Sequence, residues 1–149
     1  MITIARHTPL SLHVVRLSGE LTAAQFFAAY AAIAREPNWA RADTFYIVDE
    51  DVRLKGSDGK ALLDQLQVIN RDVFKPLDVY VLRRAAWICY APRAWPFIEY
   101  WLSDRHSRDG LQSEFCGGAT LDAARQLFED AEVAAVAAGG DFELLAAFD

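Results

Sequence analysis

Three adjacent acids, Asp49, Glu50 and Asp51, end the apolar run from Phe45 to Val48 and are the first residues whose types and spacing could do chemistry. Carboxylate oxygens at the end of a strand suit a hard cation such as Mg2+. Successive residues of an extended chain point to opposite faces, so at most Asp49 and Asp51 could share an ion. The competing reading, a solvated acidic loop, is the one adopted, with no metal and no cofactor expected. Downstream, Gly56-Ser57-Asp58-Gly59-Lys60 has the glycines of a ligand loop. It lacks the spacing of both the phosphate-cradling loop and the dinucleotide fingerprint. His7, His13 and His106 show no ligand spacing and no acidic partner, and each is expected at the surface or at an edge. Cys89 and Cys116 form no C-x-x-C pair and are expected as buried, unreactive thiols. No G-x-S-x-G is present, so dedicated catalysis is the weaker class, although a triad can assemble from distant positions.

These groups need elements to hold them. The run Phe45 to Val48 reads as a buried strand, the polar stretch to Gly59 as a loop, and Leu62, Leu63, Leu66 and Ile69 as the buried face of a helix over about 59–70. In open α/β sheets the loop at the carboxyl end of such a strand is where ligands usually sit. A further short strand is expected at 79–82, ending on Arg83 and Arg84 and completing a βαβ unit.

Before the central strand, 2–6 and 10–17 have strand patterns joined by a turn at His7, Thr8 and Pro9, which predicts an antiparallel pair. Thr22 and Gln25 form a capping box for a helix whose inner face carries Phe26, Phe27, Tyr30, Ile33 and Ala34. Its other face carries Ala24, Ala28, Ala31 and Ala32, either for close packing or simply because alanine is a good helix former. Pro37 closes the helix, and Trp39 is read as a plug at the end of the core.

Residues 85–106 hold three of the four tryptophans, and the prolines at 92 and 96 place the helix start near Pro92 to Trp95. Trp95, Phe97, Tyr100 and Trp101, with Ala94, Ile98 and Leu102, cover an arc of roughly 220°, about twice what one-sided packing requires. Two readings stand. The surplus is covered by the chain itself, or it forms a homodimer surface or an apolar-ligand groove. After it, Leu111, Ser113 and Phe115 share one side of a strand. Thr120 is read as the cap of a last helix bearing Leu121, Ala124, Leu127, Phe128 and Ala131. Residues 133–149 are an alanine-rich tail, within which 141–149 is read as a short docked helix or strand.

The composition of 53% hydrophobic and 24% charged residues fits one globular domain, and 149 residues suffice for one core. A net charge of −6 without a basic cluster argues against a nucleic-acid partner. No apolar run approaches the roughly 20 residues of a membrane span. The first ten residues do not read as a secretory signal, so no membrane insertion and a cytoplasmic location are expected.

The alternation of strands and helices over about residues 1–132 resembles the STAS-like family, the domains of anti-sigma-factor antagonists. Its sharpest piece is Val48-Asp49 followed by Gly56-Ser57-Asp58-Gly59-Lys60-Ala61-Leu62-Leu63, which looks like the family's strand, then Asp-Ser-Ser-Gly-Leu, then helix. In that family the serine before the glycine is phosphorylated by a partner kinase. Asp58 stands at that position, Ser57 matches the neighbouring serine, and Lys60 replaces an aliphatic residue. The resemblance implies an α/β fold with a mixed five-stranded sheet, an N-terminal antiparallel pair followed by parallel units, and about four helices. It implies a non-catalytic, bacterial, regulatory module that meets a protein partner through Asp49, Asp51, Ser57, Asp58 and Lys60. The alternatives are an apolar-ligand binder using the aromatic helix at 93–105, and an enzyme with a scattered site.

Overall fold

A computed structural model describes residues 1–36, 39, 42–54, 64, 83–96, 98, 99 and 113–149. Its strands are β1 (Ile2–His7), β2 (Leu12–Leu17), β3 (Glu20–Leu21), β4 (Asp43–Val48), β5 (Arg53–Leu54), β6 (Arg83–Cys89), β7 (Ser113–Gly118) and β8 (Glu143–Phe148). Among these residues the longer helices are α1 (Ala23–Arg35) and α2 (Asp130–Ala138). Six strands form one sheet in the order β7-β6-β4-β2-β1-β8, and β3 pairs with β5 beside it. β1 is antiparallel to both of its neighbours, whereas β2, β4, β6 and β7 run parallel.

Period-two alternation divides the sheet into two cores. Val15 and Leu17 of β2 join Ile2, Val48, Cys89 and the Ala29 and Ile33 side of α1. Leu12 of β2, with Phe45, Ile47, Ala86 and Ile88, packs instead on Phe128 and on Val133 and Val136 of α2. The layers are therefore helix, sheet, helix. The placement of α1 and α2 on opposite faces follows from right-handed crossovers. The chain moves one way across the sheet through β2, β4, β6 and β7, then returns past all of them to reach β8.

Local chemistry accounts for the helix ends. Thr22 Oγ1 accepts from Gln25 N–H at 3.4 Å, and Gln25 Oε1 accepts from Thr22 N–H at 2.7 Å, so the expected capping box forms. Glu36, the residue before Pro37, is extended. α2 uses a second box, in which Glu132 Oε2 accepts from Glu129 N–H at 2.8 Å, and it ends on Gly139 in the left-handed conformation.

The α/β class and the N-terminal antiparallel pair are as expected, and among the described residues the sheet has six strands where five were expected. The sixth, β8, comes from the stretch set apart as a tail, and α2 comes largely from it too. Arg83 and Arg84 open a strand instead of ending one. β6 is Arg83–Cys89, whose apolar part, 85–89, packs toward both layers, so it shows no alternation and reads as part of the aromatic segment that follows. The helix expected from Thr120 divides into a 3-10 segment, Leu121–Gln126, and α2; Thr120 sits at the N-cap without a side-chain hydrogen bond. The helix expected over 59–70 and the strand expected at 79–82 lie outside the described residues, Asp64 apart. Among the described residues no helix is long and apolar enough to cross a membrane.

Candidate functional site

The acidic end of β4 is held from below. Asp49 N–H donates to Leu17 O at 2.9 Å, and Val52 N–H donates to Asp49 O at 3.1 Å, which turns the chain at the carboxyl end of the sheet. Asp51 Oδ1 accepts the Gly19 N–H at 3.0 Å, and Arg53 N–H donates to Gly19 O at 2.9 Å. Gly19 has φ +65°, a conformation in which a side chain is strained. The two loops are thereby fastened together, and β3 and β5 extend the tie through Glu20 opposite Arg53 and Leu21 opposite Leu54. Asp49 faces a different partner, with Oδ1 3.8 Å from Arg16 Nε. The two carboxylates thus serve separate protein groups. Among the described residues no three His, Cys, Asp or Glu side chains are grouped so as to hold a metal ion. Ser57, Asp58 and Lys60 lie outside the described residues, so of the five expected site residues the structure brings Asp49 and Asp51 to one loop.

The aromatic segment begins as a turn after Ala91, with Ala94 N–H donating to Ala91 O at 2.9 Å and Ile98 N–H to Ala94 O at 3.2 Å. Trp95 is half-buried against the α1-side core, with Ile98 buried beside it. Phe97, Tyr100 and Trp101 lie outside the described residues.

A second set of residues emerges only from strand register. On the α1 face, Ile4, Val15, Tyr46, Trp87 and Gly117 form one row across five strands. Tyr46 and Trp87 stack with centroids 4.2 Å apart and planes 10° from parallel. Above them α1 presents Phe26, Ala29, Tyr30 and Ile33, four residues at helical spacing. Between helix and sheet lies a cavity of about 60 Å3, bordered also by Trp39 and Arg83. Trp39, 2% exposed, closes the core end as expected. Its ring meets His13 at 4.9 Å. Burial pushes the Tyr30 phenol well above its ordinary pKa; the Tyr46 phenol adds to the rise and Arg83 opposes it. Space of this size that side chains leave unfilled costs on the order of 1 kcal/mol. Tyr46 and Trp87 were legible only as members of apolar runs, since nothing local in the sequence pairs them.

The histidines depart from expectation. His13 is 2% exposed and makes no hydrogen bond through either ring nitrogen. It lies on β2 beneath Trp39, where burial lowers its pKa; Glu36 opposes the shift while Arg6 and Arg83 add to it. His7 is also buried and accepts Leu10 N–H at its Nδ1. The start of β2 is covered on both faces, so that Leu12 and His13, which point to opposite sides, are both buried. His106 lies outside the described residues. Cys89 and Cys116 are free, buried thiols, and burial raises the pKa of both.

At the opposite end of the sheet Arg84 gathers a saturated network. Its Nη2 lies 2.6 Å from Asp43 Oδ2 and 2.7 Å from Glu132 Oε1, and its Nη1 donates to Leu127 O at 2.9 Å. The guanidinium also lies 4.6 Å over the Phe128 ring. Burial works against its charge, and the hydrogen bonds it donates to Glu132 and Asp43 outweigh that, so its pKa is raised. With its donors committed in this way, the group fastens α2 to the sheet and leaves little capacity for chemistry. Compared with known proteins, the chain matches no family model, no curated protein and no solved structure.

Proposed function

We propose that the chain is a non-catalytic interaction module of STAS-like type, regulatory in role, which docks a protein partner through the 50–60 loop and the start of the helix that follows. One observation supports this reading above the others: the root of that loop is pinned, by Asp51 to the Gly19 N–H and by β5 to β3. A fixed root lowers the entropy lost when a loop meets a partner. The acids at the root are engaged with Gly19 and Arg16 rather than gathered around a reacting centre. Neither His7 nor His13 forms a nucleophile and base pair among the described residues. In this reading Asp49 and Asp51 shape the platform, and Ser57, Asp58 and Lys60 contact the partner. Asp58 would supply a fixed negative charge at the start of the helix expected over about 59–70, which the helix dipole favours.

The test is photo-crosslinking from position 58 in cells, with the captured protein identified by mass spectrometry. A single dominant partner is expected, and it should be lost in the double substitution Asp58→Lys, Lys60→Glu while the far-ultraviolet circular dichroism stays unchanged. Crosslinks spread over unrelated abundant proteins, or capture that survives the charge reversal, would sink the proposal.

A further inference from the structure

The cavity beneath α1 belongs to neither the acidic loop nor the aromatic helix, and its lining is unusual for a packing gap. Most of it is apolar, with Phe26, Trp39 and Trp87 among its walls. Yet it also takes in a guanidinium, on Arg83, and the phenols of Tyr30 and Tyr46. Each of these polar groups loses hydration there, a cost that a purely apolar core would not carry. The Tyr30 phenol lies within the field of both Tyr46 and Arg83. The helix contributes Ala29, buried and small, at the point where a leucine or valine would fill the space.

We propose that this cavity is a binding site for a short-chain aliphatic carboxylate, with the tail between α1 and the sheet and the carboxylate on Arg83 and the Tyr30 hydroxyl. Size selects the tail. A cavity of about 150 Å3 takes benzene, and this one is about 60 Å3. A few methylene groups fit and a ring does not. Charge selects the head. Among the described residues Arg83 is the cation bordering the cavity, and a guanidinium has five donors, so it can serve a carboxylate alongside the partners it already has. A phenol held in its protonated form by burial is a donor to the same anion. The site is independent of partner docking, so either proposal can fail alone.

Trp39 and Trp87 border the cavity, so intrinsic tryptophan fluorescence reports on it directly. Titration of the full chain with butyrate should give a saturable change, and 1-butanol, which lacks the charge, should bind at least tenfold more weakly. Benzoate should give no saturable response at the same concentrations. Tyr30→Phe, which removes one hydroxyl and leaves the packing, should weaken butyrate several-fold, and Arg83→Met should weaken it tenfold or more. Ala29→Leu should abolish the response while the circular dichroism spectrum is retained. The absence of saturation with butyrate overturns the proposal, as does equal binding of butyrate and 1-butanol, tighter binding of benzoate, or an unchanged response in Tyr30→Phe. Tyr30→Phe decides the matter if a larger substitution disturbs α1.

Discussion

Gly117 lies directly beneath Trp95: a Cβ at position 117 would stand 3.3 Å from Trp95 Cη2 and 3.0 Å from the Trp87 carbonyl oxygen. The indole can shift by a few tenths of an ångström, but the carbonyl belongs to the neighbouring strand and cannot. Gly117→Ala is therefore expected to lower stability by about 1–3 kcal/mol. Gly118→Ala should cost more, because its Cβ would lie 2.6 Å from that of Ala123. Urea denaturation of both variants checks the order.

Arg84 is expected to be the most sensitive charged residue among those described. Its removal leaves Asp43 and Glu132 facing each other across the gap between sheet and α2. Arg84→Met should cost about 2–4 kcal/mol, less than a fully buried pair would because the three side chains keep some solvent contact. Arg84→Lys should recover little of this, since an ammonium lacks the fork that bridges two carboxylates. A loss below 1 kcal/mol in thermal or urea unfolding would contradict the network's assigned role.

His13 gives stability a pH dependence of definite sign. Burial holds its folded pKa below the ordinary 6.5. Above pH 6.5 the ring is neutral in both states and the full stability is present. As pH falls below that value the unfolded chain takes up the proton first, so stability declines until the folded pKa is passed, by up to about 1.4 kcal/mol per pH unit. Glu36 works against the shift, while Arg6 and Arg83 reinforce it. In His13→Leu the slope between pH 6.5 and 5 should flatten, as read from urea midpoints.

Asp51→Ala should loosen the base of the acidic loop without unfolding the chain. The amide of Gly19 loses its acceptor, and the β3 to β5 bridge loses its neighbour. Stability should fall by less than about 1 kcal/mol, because the bond is exposed. Hydrogen exchange at the Gly19 and Arg53 amides should quicken several-fold, and exchange in β4 should not change.

Features decided locally could be read from the sequence. The Thr22 and Gln25 box, the turn at Pro9 and the buried run at Phe45 to Val48 each depend on residues within one or two turns of chain. What escaped was decided at a distance. β6 carries no alternation because helices or other layers meet both of its faces, and the apolar stretch just before it looks more strand-like. His13 gives no sign of burial until Trp39 closes over it. Tyr46 and Trp87 become a stacked pair through the parallel register of β4 with β6, which no local pattern specifies. For the acidic loop, residue types revealed a charged turn, but the engagement of Asp51 with Gly19 depends on β2 and β4 being neighbours.

The pairing of Ile2 with Phe148 sets an order on biosynthesis. β1 emerges first and can form its hairpin with β2 at once, but its other edge has no complement until β8 leaves the ribosome. At ordinary elongation rates that interval is on the order of ten seconds. Through that interval a nascent chain carries an apolar strand with an open backbone edge, the kind of edge that recruits other strands. Cells making this protein therefore have reason to shield β1, and fusions or truncations that delay or remove 143–148 should aggregate during translation rather than after folding.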